Sequence, residues 1–160
     1  MRKIDQLLSE YGESHQNETN KIIHWICVPV IFWSIIGLVW SIPNDWLLIA
    51  LPNVTSPFLN WATLILVVVL LYYFTLSFWL FFGMSIVVVG FLYITLFVEQ
   101  LGIAPLWLIS VVVFVIAWIG QFYGHHVEGK KPSFLKDVQF LLIGPAWLMH
   151  FIYKKLNIPY

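Results

Sequence analysis

Charge is what this chain of 160 residues has least of: Asp, Glu, Lys and Arg together make up 10% of it, against about a quarter in a soluble domain. The deficit is concentrated, since no charged residue occurs between Asp45 and Glu99 or between Glu99 and Glu128. A helix crosses the roughly 30 Å hydrocarbon core with about 20 residues, so the two intervals have room for three spans, and a soluble fold could not solvate that much apolar surface. Cysteine is nearly missing too: Cys27 stands alone in an apolar run, which excludes an internal disulfide and leaves a small buried hydrophobe. A formal net charge of zero excludes the basic field that would hold nucleic acid. There is no Gly-rich phosphate loop, no G-x-S-x-G elbow and no H-E-x-x-H. The want of charge inside the spans argues against an ion relay. Residues 1–21 are too polar for a signal peptide, and the apolar run after them starts too late.

What is present is an all-α pattern, a polytopic membrane helix bundle of about four spans in a single domain, residues 1–160. Residues 1–21 carry seven charges, and Ile4, Leu7, Leu8 and Tyr11 recur at helical spacing, giving a polar N-terminal helix. Four spans are expected within 22–123, at about 22–42, 59–81, 82–98 and 103–123. Gly83 and Gly90 serve close helix approach or the bend between the middle two. A short dipping segment is expected in 46–57 and a tight turn at 99–102. A polar loop, 124–137, precedes a last apolar stretch, 138–153, which re-enters or forms a fifth helix. Four crossings put both polar ends on one side with Arg2, Lys3, Lys21, Lys130, Lys131 and Lys136, while the opposite loops hold no basic residue. The positive-inside rule makes that side cytoplasmic. Lys154 and Lys155 join it if the last stretch turns back.

Five histidines remain: His15, His24, His125, His126 and His150. Imidazole is the commonest protein metal ligand, and the four-crossing arrangement gathers the first four at the cytoplasmic helix ends. Each has an ordinary reading as well. His15 can be a solvated surface residue, His24 can bond headgroups, and His150 can be a satisfied buried histidine. His125 and His126 are adjacent and point apart on a helix, so one ion does not take both. His15 and His24 lie on opposite faces of a straight helix, so both serve only if the chain turns between them; Asn17 to Asn20 can supply that turn and an N-cap. Glu128, one turn after His125, can orient its imidazole, ligate directly, or pair with Lys130 or Lys131. Glu99 falls on the far side, outside such a site.

Two stretches carry a resemblance. Tyr11-x3-His15-x4-Asn20-x3-His24-x4-Pro29 opens the chain; Gln121-Phe122-x-Gly124-His125-x2-Glu128-Gly129-x2-Pro132 follows the fourth span, with Gly144-Pro145 beyond. Together and in this order they resemble the family of the yeast 2-hydroxy fatty acid dioxygenase, small endoplasmic-reticulum membrane enzymes with bacterial relatives. The resemblance implies Fe(2+)-dependent conversion of a 2-hydroxy fatty acid and dioxygen to the fatty acid one carbon shorter. It implies His15, His24 and His125 as metal ligands with Glu128 as the motif carboxylate. His126, His150, Asn20 and Tyr11 are left as further ligands or supporting groups. Lys21 and Lys130 are candidate substrate-binding residues, drawing in the anionic head of the fatty acid from the membrane surface, or they simply anchor the chain at that surface. The location implied is the bacterial inner membrane, or the endoplasmic reticulum in a eukaryote, with the site facing the cytoplasm. Two other readings stay open. One is a non-catalytic scaffold or small transporter; the other is a different histidine-site lipid metalloenzyme, such as a zinc hydrolase or a di-iron hydroxylase.

Overall fold

The computed structural model describes residues 2–129 and 140–159. Among them are seven helices and no strand: α1 (Lys3–Gly12), α2 (Glu18–Trp40), α3 (Asp45–Ala50), α4 (Trp61–Leu76), α5 (Phe78–Leu101), α6 (Leu106–Glu128) and α7 (Ile143–Lys155). Helices α2, α5 and α6 are long and apolar enough to cross a membrane. At 1.5 Å per residue, α2 reaches about 34 Å. Helix α4 is as apolar but has 16 residues, about 24 Å. Its outward face is bare hydrocarbon, with Val68 and Leu71 exposed, which suits lipid and not water.

The boundary between α4 and α5 differs from the sequence expectation. The break falls at Ser77, not near Gly83. Ser77 is extended, closes α4 through its N–H to the Tyr73 carbonyl, and opens α5 by accepting from the Leu80 N–H. Gly83 instead lies inside α5 with Tyr153 and Met149 of α7 filling the space a side chain would need, while Gly90 meets nothing that close. The turn expected at 99–102 is the end of α5, capped by left-handed Gly102. The dipping segment in 46–57 is α3 with an exposed loop after it.

Helix α2 is the axis. Against α6 it runs antiparallel along a seam of small residues: Gly37 faces Ser110, Cys27 faces Gly120 and Asn20 faces Gly124. Without a hydrophobic force between helices in lipid, such close backbone approach supplies the packing energy. Helix α5 runs parallel to α2, Phe32 meeting Phe91 and the Trp40 indole N–H donating to Glu99 at 3.0 Å. Helix α4 runs antiparallel to α2, with Trp40 against Phe58 just ahead of it. The start of α2, the ends of α4 and α6, and the start of α5 therefore share one end of the bundle.

The last helix returns to that end. Leu141 and Leu142 border an apolar cavity with Ile35 and Val69, inside the bundle, and Tyr73 donates to the Leu142 carbonyl at 2.6 Å. Helix α7 then runs outward until Tyr153 donates to the Trp79 carbonyl at the start of α5. Helix α1 lies across it, burying Ile4, Leu8 and Tyr11, with the Tyr11 ring 5.4 Å from that of Trp147.

The α2–α6 seam is testable at Gly124. A Cβ there would sit 2.5 Å from Asn20 Oδ1, and Asn20 is fixed by bonds to Ser14 and Glu128. Gly124→Ala should destabilise the protein by about 1–3 kcal/mol, the usual cost of overpacking. Gly90→Ala, in open space, should not. Thermal melts of the two variants in the same detergent provide the comparison.

Candidate metal centre

Helix α1 ends at Gly12 and α2 begins at Glu18, so the chain turns between His15 and His24. Asn17 makes the new start: its Oδ1 accepts from the N–H groups of Thr19 and Asn20, a direct N-cap. The turn tips His15 back over His24, and α6 brings His125 alongside. All three are buried, at 3%, 1% and 7% exposure. Ring centroids are 4.1 Å apart for His15 and His24, 5.0 Å for His24 and His125, and 5.5 Å for His15 and His125. One ring nitrogen from each lies within 4.8 Å of the other two.

The hydrogen bonds prepare two of these rings as ligands. His15 Nδ1 is 2.7 Å from the Tyr11 carbonyl and His24 Nδ1 is 2.9 Å from the Asn20 carbonyl. A carbonyl only accepts, so each imidazole donates from Nδ1 and keeps its lone pair on Nε2. That is the usual backing of a metal-binding histidine, fixing tautomer and ring orientation together. Tyr11 stacks flat on His15, centroids 4.3 Å apart, and Trp147 closes from α7 at 5.3 Å. Three buried imidazoles with their nitrogens this close fit a divalent transition metal and leave coordination positions for other ligands.

Glu128 ends α6 and reaches across to the His15 segment. Its carboxylate accepts from the Gln16 N–H at 2.8 Å, the Asn17 N–H at 2.9 Å and the Asn20 amide at 2.9 Å. The motif carboxylate thus clamps the turn that presents His15. Asn20 is fully buried and joins three parts of the site, through Ser14, Glu128 and, by its carbonyl, His24.

Other residues singled out from the sequence fall elsewhere. His126 points outward and is exposed. His150 is half-buried on α7 against Phe151; burial, and then the nearby Lys154, holds its imidazole below the usual histidine range. Lys21 pairs with Glu18 at 2.8 Å on the outer side of α2. Lys130 lies outside the described residues. Glu99 is at the opposite end of the bundle, bonded to Trp40. One residue went unassigned in sequence: Gln121, which lines a cavity of about 50 Å³ with Tyr11, Ser14, His15 and His125. The signal was its place four residues before His125, on the same face of α6.

No curated protein and no solved structure matches the chain. A family model does, that of the 2-hydroxy-palmitic acid dioxygenase Mpo1-like proteins, over residues 1–156. Since the match takes in both polar ends and every helix between them, the chain belongs to the Mpo1-like family.

Proposed function

We propose that the chain is an iron(II)-dependent dioxygenase of lipid α-oxidation, taking a 2-hydroxy fatty acid and dioxygen to the fatty acid one carbon shorter. The observation that carries this reading is the buried cluster of His15, His24 and His125 in a chain of this family. These three side chains would hold the ion. When bound, ferrous iron supplies open coordination positions and redox chemistry toward dioxygen. The rest falls to the protein. Tyr11 and Trp147 cover His15 and exclude water, and Glu128 with Asn20 keeps the turn in register. In the net balance the hydroxy acid loses four electrons and dioxygen gains them. The products that need no further reactant are the shortened acid, carbon dioxide and water.

The acyl tail has an apolar place to go. Val28, Ile31 and Ile35 continue the His24 face down α2 at helical spacing. Leu141 lines both the histidine cavity and an apolar cavity of about 170 Å³ between α2 and α4. A larger cavity of about 350 Å³, beside Trp25 and Ile152, shares no lining residue with the histidine cavity, so the tail is assigned to the first. Each buried methylene contributes about 0.8 kcal/mol.

In the membrane, α2, α4, α5 and α6 make four crossings and α7 is the return limb of a re-entrant segment. Arg2, Lys3, Lys21, Lys154 and Lys155 then lie on one side and Asp45 and Glu99 on the other, which by the positive-inside rule turns the site to the cytoplasm. The membrane is the inner one in a bacterium and the endoplasmic reticulum in a eukaryote. Metal quantification on the purified protein, with oxygen uptake on 2-hydroxyhexadecanoic acid, tests the reading. About one iron per chain and formation of pentadecanoic acid are expected. A folded protein that stays metal-free, or that carries zinc and consumes no oxygen, overturns it.

A further inference from the structure

Gln121 is 7% exposed, lines the cavity beside His15 and His125, and has its Oε1 buried with no hydrogen-bond partner among the described residues. Trp118, three residues earlier on α6, lines the same cavity, and its indole Nε1 is likewise buried without a partner. Buried polar groups are nearly always paired, because leaving one desolvated and unbonded is costly. An unmet acceptor and an unmet donor on two side chains that line one small cavity therefore call for a ligand with the opposite pair. An amide oxygen needs a donor, and an indole N–H needs an acceptor. A 2-hydroxy acid offers both on adjacent carbons: the hydroxyl O–H donates and the carboxylate accepts. An unsubstituted fatty acid, ionised, offers acceptors alone.

We infer that Gln121 accepts a hydrogen bond from the 2-hydroxyl of the substrate, with Trp118 donating to its carboxylate, and that Gln121 thereby selects hydroxylated over unsubstituted fatty acids. The assignment rests on the function proposed above and names the group that reads its substrate. The selectivity has a physical source. A fatty acid without the hydroxyl would seal the cavity while leaving the amide oxygen unbonded, and a site built to pair a hydroxyl rejects the analogue that lacks it. The apolar walls opposite, Val28, Ile31 and Leu141, suit the carbon chain leaving this head.

The test is equilibrium binding to iron-loaded protein in lipid nanodiscs, kept free of oxygen, with 2-hydroxyhexadecanoic acid and hexadecanoic acid as probes. Wild-type protein should prefer the hydroxy acid. In Gln121→Leu the ratio of the two affinities should fall about tenfold or more, with iron content at the wild-type level, the loss of one hydrogen bond to a buried acceptor. Gln121→Met keeps the side-chain length and removes the acceptor, and gives the same readout should the leucine variant fail to accumulate. Gln121→Glu, which still accepts at that position, should retain the preference. A folded, iron-loaded Gln121→Leu or Gln121→Met protein that keeps the full preference overturns the assignment and leaves the proposed reaction standing. A wild-type protein that neither prefers nor turns over the hydroxy acid overturns both.

Discussion

Replacing His24 by alanine should strip the metal from the protein and reduce turnover by more than about a hundredfold. His24 is the middle ring of the three, nearer to His15 and to His125 than those are to each other, and it is 1% exposed. Its loss leaves two imidazoles without the one that lies between them, and no exposed histidine can swing in, since His126 faces outward on α6. Changes to groups that merely back a ligand already cost 10–100-fold in metal affinity or activity, so a ligand itself should exceed that range. The fold should survive, because the buried contacts of α2 with α6 run on through Cys27 and Gly37. A thermal melt separates metal loss from unfolding. Added ferrous iron should raise the melting temperature of wild-type protein, as any ligand of the folded state does, and leave His24→Ala unmoved. His126→Ala should keep both its iron and its thermal response. Retention of iron by His24→Ala would remove this residue from the site and with it the three-histidine centre.

The long-range order of this bundle is only partly written in local sequence. The charge-free intervals locate the apolar helices, and Asn17 before an apolar run marks where α2 starts. The meeting of His15, His24 and His125 follows from counting crossings, because an odd number would put His125 at the far end. The break at Ser77 was hidden for a physical reason. Residues 61–98 carry no charge, and their serines, Ser77 and Ser85, look alike in sequence; yet Ser85 sits inside a helix bonded to the Phe81 carbonyl, so a serine in such a run does not by itself signal a cap. Of the two roles open to Gly83, close helix approach and a bend, the structure takes the first, with the glycine making room for Tyr153. The unmet oxygen of Gln121 could not be read at all, since pairing is a property of the folded neighbourhood. Glu128 was legible as a carboxylate near His125. Its partners, main-chain N–H groups more than a hundred residues away, leave no trace in spacing or periodicity.

That clamp makes Glu128 the second place where a single change should have a large effect. Glu128→Gln, nearly isosteric, should behave almost as badly as Glu128→Ala. The carboxylate accepts from three donors, the N–H groups of Gln16 and Asn17 and the amide of Asn20. A glutamine keeps one oxygen and presents an NH2 to what remains, so donor would face donor, and the charge that strengthens such bonds is gone. Hydrogen bonds to charged groups contribute about 1.5–3 kcal/mol each. These are near the surface, so the segment should lose about 2–3 kcal/mol in all, enough to free residues 13–17 while the bundle stays folded. Metal affinity should then fall by about 10–100-fold, the range for residues that position a ligand, through His15 alone. Hydrogen exchange tells this apart from a direct chemical role for the carboxylate. Amides of residues 14–17 should lose protection in Glu128→Gln while those of α2 beyond His24 keep theirs. If protection is unchanged and activity is nonetheless lost with iron still bound, Glu128 acts on the substrate and not on the turn.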